Sequence, residues 1–483
     1  MAITNSLKKL VHRKSHEFVA PLPTNTVGGS CLIGDKRNLN PNSVIYYISN
    51  ASSIHRYDGD EDSWLQLAGS AAAGAGGAGS CAEYRGLSAM GGVFTQTATA
   101  GSGVATLVTN RTIVRNLANR KIRVVAGTGL GYEGLIVSNT IGANSVITTD
   151  GTTTFDTTTQ FQIFAGSLWY QNAGTLGGFV VYDVATNTWN SRGLTGAASW
   201  GTDGYLIATP GGTENFLVRT ATAGAATTIT DSTQAWLTNQ WANYQVRISA
   251  GTGTGQIRTI SSNTGTVLTV SVAWVVNPDA TSEYTIEGND DFFYLMGNNA
   301  VTLYRFSVSS NTWTTLTPAT ARAAAPGAGM SGSWVSSVPS WTLNTNGSPN
   351  SLTVGNTVYK QNGRYLLSFR GGNSNILDLY DIAGNTWISN VDYGNKNETF
   401  TTGTNSSDYK GDVFIMKEAT QRILKFSIDD WAMKSFTFHP ITPSTAVVGQ
   451  KMAILPYIDG SNELVFCYIA SHTRTDFTRL LII

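Results

Sequence analysis

The sequence predicts an all-β fold, a six-bladed β-propeller carrying two small inserted β-domains, and three observations predict it. The eight residues Tyr182-Asp183-Val184-Ala185-Thr186-Asn187-Thr188-Trp189 recur in degraded form along the chain. Two of the intervals between recurrences are too long for one blade, and by nearly the same amount. The composition has 51 glycines in 483 residues and only 13% charged residues, against about 25% in ordinary globular domains, which suits short apolar strands separated by many turns.

Copies of the repeat place a ring seven positions before a Trp at Tyr57 and Trp64, Phe306 and Trp313, and Tyr380 and Trp387. A fifth copy, Phe426-Ser427-Ile428-Asp429-Asp430-Trp431, reads as shortened by two. In each, an alternating strand such as Gly178-Phe179-Val180-Val181-Tyr182 buries one face, a Thr-Asn type of turn reverses the chain, and Trp opens the returning strand. Trp64, Trp189, Trp313, Trp387 and Trp431 are separated by 125, 124, 74 and 44 residues. Blades of this kind repeat at about 50 residues, so the first two intervals each predict an insertion of roughly 75.

The resulting division is an N-terminal arm over 1–42, blade 1 and the start of blade 2 over 43–92, and a first module over 93–166. Propeller follows over 167–216, a second module over 217–288, and the remaining blades over 289–483.

Residues 1–42 lack periodicity and cluster Lys8, Lys9, His12, Arg13, Lys14 and His16. Such a cluster could dock on an acidic partner or nucleic acid. The plainer expectation is that Glu17-Phe18-Val19-Ala20-Pro21-Leu22 adds a strand to the last blade, because propellers close by pairing strands from both ends. The last unit, through Leu464-Val465-Phe466-Cys467-Tyr468-Ile469 to Leu480-Leu481-Ile482-Ile483, is one strand short. Residues 1–17 carry no apolar stretch of signal length, and no run approaches the 18 or more apolar residues of a membrane helix. The 31 basic and 31 acidic residues balance, so no strong field draws the chain to nucleic acid or membrane, and neither specific nucleic-acid binding nor a membrane anchor is expected.

The first blade turn, Asp58-Gly59-Asp60-Glu61-Asp62, has acids at alternate positions, but Ser63 and Gly69 stand where a calcium loop needs Gly and Glu. An acidic turn in register with Ala185-Thr186-Asn187 is the stronger reading, with Asp58, Asp60 and Asp62 left open as a metal site. The small-residue stretches 68–80, 196–199 and 323–329 are expected to pack near the axis, where inner strands crowd. The three cysteines, Cys31, Cys81 and Cys467, have no metal or disulfide spacing and are expected to pack as small apolar groups.

The two inserts resemble each other at a constant offset of 123 to 124 residues. Thr97-Ala98-Thr99-Ala100-Gly101 matches Thr220-Ala221-Thr222-Ala223-Gly224, and Ala126-Gly127-Thr128-Gly129 matches Ala250-Gly251-Thr252-Gly253. Insert and host blade thus read as one duplication. Gly127-Thr128-Gly129-Leu130-Gly131 and Gly251-Thr252-Gly253-Thr254-Gly255 could pass for phosphate loops, but a strand, Gln256-Ile257-Arg258-Thr259-Ile260, follows where a helix would be needed, so they read as turns. Trp236 and Trp241 could stack on a sugar; Leu117 at the position of Trp241 in the first insert favours a core role.

No nucleophile elbow, phosphate loop or metal-spaced His pair is present, and His12, His16, His55, His439 and His472 are scattered. No catalytic residue, metal ligand or cofactor site is therefore expected, and no enzymatic activity.

The Tyr-Asp-x5-Trp hairpins, with Gly371-Gly372, resemble kelch-type repeats. The second insert, around Ala250-Gly251-Thr252-Gly253-Thr254-Gly255-Gln256-Ile257-Arg258, is similar to small β-modules of tailed-bacteriophage virion proteins. That resemblance implies a structural subunit of a phage particle, in a ring of the tail (nozzle) or neck, assembled in the host cytoplasm. Its partners would be copies of itself and other virion tail and neck proteins, with a host-surface glycan as a further candidate. The alternatives are a propeller of a phage appendage that binds or cleaves glycan, and an intracellular kelch-type interaction protein.

Overall fold

In the computed structural model the described residues are 16–24, 30–34, 44–49, 53–59, 61–69, 80–85, 95–113, 116–118, 120–163, 167–172, 178–184, 186–193, 204–208, 219–236, 238–239, 241–287, 292–297, 300–308, 310–335, 341–343, 349–352, 365–382, 384–400, 404–409, 412–417, 422–428, 430–437, 451–459, 462–470 and 477–481. Among them all regular structure is strand. The basic cluster before His16, Asp60, Ala185, residues 70–79 and 196–199, His439 and His472 lie outside the described residues.

Middle strands of a blade are covered on both faces by neighbouring blades, so they need apolar residues at successive positions. Val44–Ile48, Ser167–Gln171 and Phe179–Asp183 are buried at every position. Such strands build six four-stranded antiparallel sheets. Blade 1 runs from Cys31–Gly34 through Val44–Ile48 and Ile54–Asp58 to Ser63–Gln66. Blade 2 begins at Cys81–Arg85 and continues with Ser167–Gln171, Phe179–Asp183 and Thr188–Ser191. Blade 3 begins at Gly204–Ala208 and ends with Phe292–Gly297, Leu303–Ser307 and Thr312–Leu316. Blade 4 is Ser331–Val335, Tyr365–Phe369, Leu377–Asp381 and Thr386–Val391. Blade 5 is Asn405–Tyr409, Asp412–Lys417, Arg422–Ser427 and Ala432–Thr437. Blade 6 is Lys451–Asp459, Asn462–Ala470 and Phe477–Leu481, completed by His16–Phe18.

The first strand of each blade contacts the first strands of the blades on either side, and the contacts close into a ring, so the chain is a β-propeller. Six apolar clusters fill the six seams between blades. One, with Trp169, Phe179, Leu206, Phe293, Phe306 and Trp313, joins blades 2 and 3; another, with Tyr47, Tyr57, Leu455, Tyr468 and Phe477, joins blades 6 and 1. Removing one fully buried ring such as Trp169 should cost about 3–5 kcal/mol.

The repeated hairpin also explains how blades are joined. Five residues after the ring, the turn requires positive φ, and Asp62, Asn187, Asn311 and Asn385 occupy that place at φ 48, 54, 57 and 46. Asn and Asp tolerate this conformation better than other residues with a side chain. Each then holds the backbone that leaves the outer strand of the preceding blade. Asn187 accepts from the Ala68 amide at 3.1 Å, Asn311 from Gly193 at 2.8 Å, and Asn385 donates to the Thr317 carbonyl at 3.1 Å. The tyrosine at the start of the hairpin braces the same side chain, Tyr182 to Asn187 at 2.7 Å and Tyr380 to Asn385 at 2.6 Å.

The same latch closes the ring. His16–Phe18 pairs with Phe477–Leu481, and the segment leaving it offers the Ala20 amide to Asp62 at 2.7 Å and the Ala20 carbonyl to Trp64 Nε1 at 3.0 Å. Asp62 also accepts from Tyr57 at 2.9 Å, so its carboxylate serves the closure.

Three sequence expectations are corrected. The fifth hairpin is not shortened: Met433 pairs with Phe426 where the other blades pair Trp, and Trp431 sits at the positive-φ place, φ 49. Its Nε1 still reaches the preceding blade, at the Asp392 carbonyl, 2.8 Å. Cys31–Gly34, within the segment read as an arm, is the inner strand of blade 1. The small-residue stretch 323–329 forms the approach to an inner strand, and the inner strands themselves supply the small residues, as in Ser331-Gly332-Ser333.

Between first and second strands, blade 2 carries a six-stranded sheet and blade 3 a seven-stranded one. Blade 4 carries, at the same place, a two-stranded ribbon of Trp341–Leu343 and Pro349–Leu352 that the sequence reading passed over.

Candidate functional site

Each insert is a closed module with its own core. In the first, Thr99 N donates to Val108 O and Ala98 N to Thr159 O; in the second, Thr222 N donates to Thr230 O and Ala221 N to Ser282 O. The sheet edges are thereby joined, leaving contacts with other molecules to side chains. Leu107, Leu117, Ile122, Ile136, Phe155 and Phe161 fill the first core; Trp236, Trp241, Tyr244, Ile260, Trp274 and Tyr284 fill the second. Trp236 and Trp241 are thus packing residues, as is Leu117.

Both modules stand at the end of the propeller where the hairpin turns lie, since Ser167 pairs with both Arg85 and Asp183. Arg111 of the first module reaches the buried Asp183 at 3.4 Å, and Asn243 of the second donates to the Ile382 carbonyl of blade 4 at 3.4 Å.

The glycine-rich loops are turns that hold the modules together. Gly127 and Gly251, at φ 73 and 74, have no room for a Cβ, which would stand 1.9 Å from the carbonyl oxygens of Thr158 and Thr281. Asp156 accepts from Thr128 and Thr158, and Asp279 from Thr281, which clamps each loop against its neighbour. These hydroxyl donors hold both carboxyls below the usual carboxylate range.

The two loops then meet. A Cβ on Gly255 would lie 2.6 Å from Leu130, and one on Gly131 would lie 2.5 Å from Thr254, so each loop's penultimate residue covers the last glycine of the other. Residue and partner exchange roles, as in an isologous interface. Beside the contact Glu133 bridges the equivalent arginines of the two modules, Arg123 at 2.8 Å and Arg247 at 3.1 Å.

Apolar surface gathers on this pair. Among the described residues ten large apolar side chains are exposed, and eight of them, Val104, Leu130, Leu135, Val137, Ile141, Val272, Val275 and Val276, belong to the modules. Gln256, next to Gly255, fixes the loop bearing Val275 and Val276 by hydrogen bonds of 2.7, 3.3 and 2.8 Å.

A second concavity lies on the propeller axis. A cavity of about 130 Å³ is lined by five of the inner strands, including Cys31, Cys81, Tyr205, Asn405 and Lys451, and by Gly329 and Met330 just before the sixth. Ser406 of blade 5 donates to Tyr205 of blade 3 at 3.0 Å, which carries the tyrosine across the front of blade 4. The paired Ser30-Cys31 and Ser80-Cys81 before apolar strands were the signal for it in the sequence. All three cysteines are buried and none is in a disulfide; burial pushes Cys31 up to about 11, against the pull of Lys451, and raises Cys81 and Cys467 well above the usual value. His55 stacks on Tyr47, 6.3 Å between ring centres, and burial lowers its pKa. Among the described residues no group of three or more His, Cys, Asp or Glu could hold a metal.

No protein-family profile matches the chain, and no curated protein matches it. Solved structures with a similar trace include the six-bladed fungal lectin of Aleuria aurantia, 9% identical over 96% of this chain and 94% of that one, TM-score 0.40. The Malassezia sympodialis allergen Mala s 1 is 10% identical over 97% of this chain and 96% of its own, TM-score 0.34. The endosialidase of phage phi92 is 10% identical over 97% of this chain and 69% of its own, TM-score 0.27.

Proposed function

We propose that this chain is a structural subunit of a bacteriophage particle, part of a symmetric ring in the tail nozzle or the neck, which catalyses nothing. The observation that carries the reading is the paired modules: two closed β-units, locked loop to loop, that hold eight of the ten large apolar side chains exposed among the described residues. A propeller needs neither unit for its own core, which the six blade seams supply. Surface of that kind is typical of contact with other proteins, and copies in a ring reuse one such contact. The likeness of the second insert to modules of tailed-phage virion proteins gives the setting.

The test is light scattering on the full chain and on a Val137→Asp, Ile141→Asp, Val275→Asp variant. The wild type should associate into a discrete multiple of the monomer mass, and the variant should remain monomeric with the same melting temperature. A wild type that stays monomeric and binds or cleaves a surface polysaccharide would replace the ring with the glycan reading.

A further inference from the structure

We propose that the cup on the propeller axis binds a small anion, a carboxylate or phosphate of about six heavy atoms or fewer, through the ammonium of Lys451. The size follows from the cavity, about 130 Å³, which is close to the ~150 Å³ of an engineered cavity that accommodates benzene. The polarity follows from topology. Each inner strand has a partner strand on one side only, so the N–H and C=O groups of its other edge turn toward the axis without a second strand.

The groups around the cup show where an anion would sit. In blade 6 the Met452 and Ile454 amides are taken by Asn405 Oδ1 at 3.1 Å and Ser407 Oγ at 3.2 Å, which fixes the edge that begins with Lys451. Among the described residues no acid stands within ion-pair distance of Lys451. Lys451 of blade 6 lines the cup together with Cys31 of blade 1 and Cys81 of blade 2. Glu83 lines the same cavity, which favours a single compact anion and, for a ligand that also carries an ammonium, places glycine ahead of acetate.

The site lies in the blades, away from the modules, so it stands or falls independently of the ring. Acetate, inorganic phosphate and glycine are titrated separately against the full chain at constant ionic strength, with melting temperature and calorimetric heat as readouts. At least one should bind saturably, and the best of the three separates carboxylate from phosphate. Lys451→Met should weaken that binding about tenfold or more, as loss of a charged hydrogen bond does; Lys451→Arg should keep most of it, and Glu83→Gln should tighten acetate. Saturable binding by none of the three, or equal binding by wild type and Lys451→Met, overturns the proposal. If Lys451→Met does not fold, wild-type crystals soaked in bromide decide: an anomalous peak in the cup supports the site, and peaks only elsewhere refute it.

Discussion

The two modules share a fold and the aliphatic frame of its core, Ala98, Ile136 and Ile163 standing where Ala221, Ile260 and Ile286 do, and differ in the large side chains that complete it. The first is packed with aliphatic residues around Leu117 and Phe155, the second with Trp236, Trp241, Trp274 and Tyr284. The turns are shared most closely: positive-φ glycines at 127, 129 and 131 and at 251, 253 and 255, with an Asp-Thr clamp behind each set. The comparison teaches that strand connection fixes this module and that its core adapts, because a closed sheet accepts any set of side chains with the right volume while a backbone turn with no room for a Cβ accepts one residue.

The sharpest way to break the comparison is at the shared turn. Gly127→Ala and Gly251→Ala both force a Cβ to within 1.9 Å of a carbonyl oxygen at positive φ. Each should unfold its own module, a loss of about 3 kcal/mol or more in a class of change where over 4 is exceptional, while hydrogen exchange in the blade strands stays protected. Equal damage in both modules is expected; tolerance in either would show that the turn is not what they share.

Next in size are the cores. Trp241→Leu should cost about 2–4 kcal/mol through the cavity it leaves, and Leu117→Trp about 1–3 through overpacking. Denaturant melts of the single and double variants should give additive losses if the cores are independent.

Acid separates the modules further. Burial pulls the pKa of Asp231 up, but donation from Thr233, Tyr284 at 2.7 Å and Gln234 outweighs it and leaves the group below its ordinary value. A depressed folded pKa contributes stability above the unfolded value, near 3.9, and that contribution is lost as pH falls through the folded pKa. The second module should therefore lose protection below pH ~4 more steeply than the first, and Asp231→Asn should flatten that difference in exchange-monitored titrations. His55 in blade 1 works in the same sense in a higher window: its lowered pKa makes stability rise with pH up to about 6.5, its unfolded value.

The smallest effect is at the seam. Glu133 is partly exposed, so Glu133→Gln should cost about 1 kcal/mol or less. Exchange should quicken at the Gly131 and Gly255 loops and nowhere in the module cores.

How much of this the sequence shows depends on whether a contact is local. Ring, turn and Trp lie within eight residues, so the hairpin can be read directly, and the apolar runs of middle strands point to an all-β propeller. The closing strand could be read because the last unit lacked one. The latch could not, since Asn187 meets Ala68 and Asp62 meets Ala20 across more than forty residues. Blade 5 misled because Trp431 satisfies the latch from a different place in the same turn. The ribbon in blade 4 had a signal, the 74-residue interval from Trp313 to Trp387, but no twin elsewhere in the chain to give it weight. The contact between glycine loops was invisible because each loop reads as an ordinary turn until the other is placed against it.

The most direct test of the central claim is a reconstruction of a tailed-phage particle that contains this chain. The account predicts a closed ring of propellers with the paired modules at the subunit boundaries, Val137, Ile141 and Val275 buried there, and the loop contact at Gly131 and Gly255 kept within each copy. A chain found as an isolated propeller at the particle's surface, with the modules facing solvent or a host glycan, would contradict it.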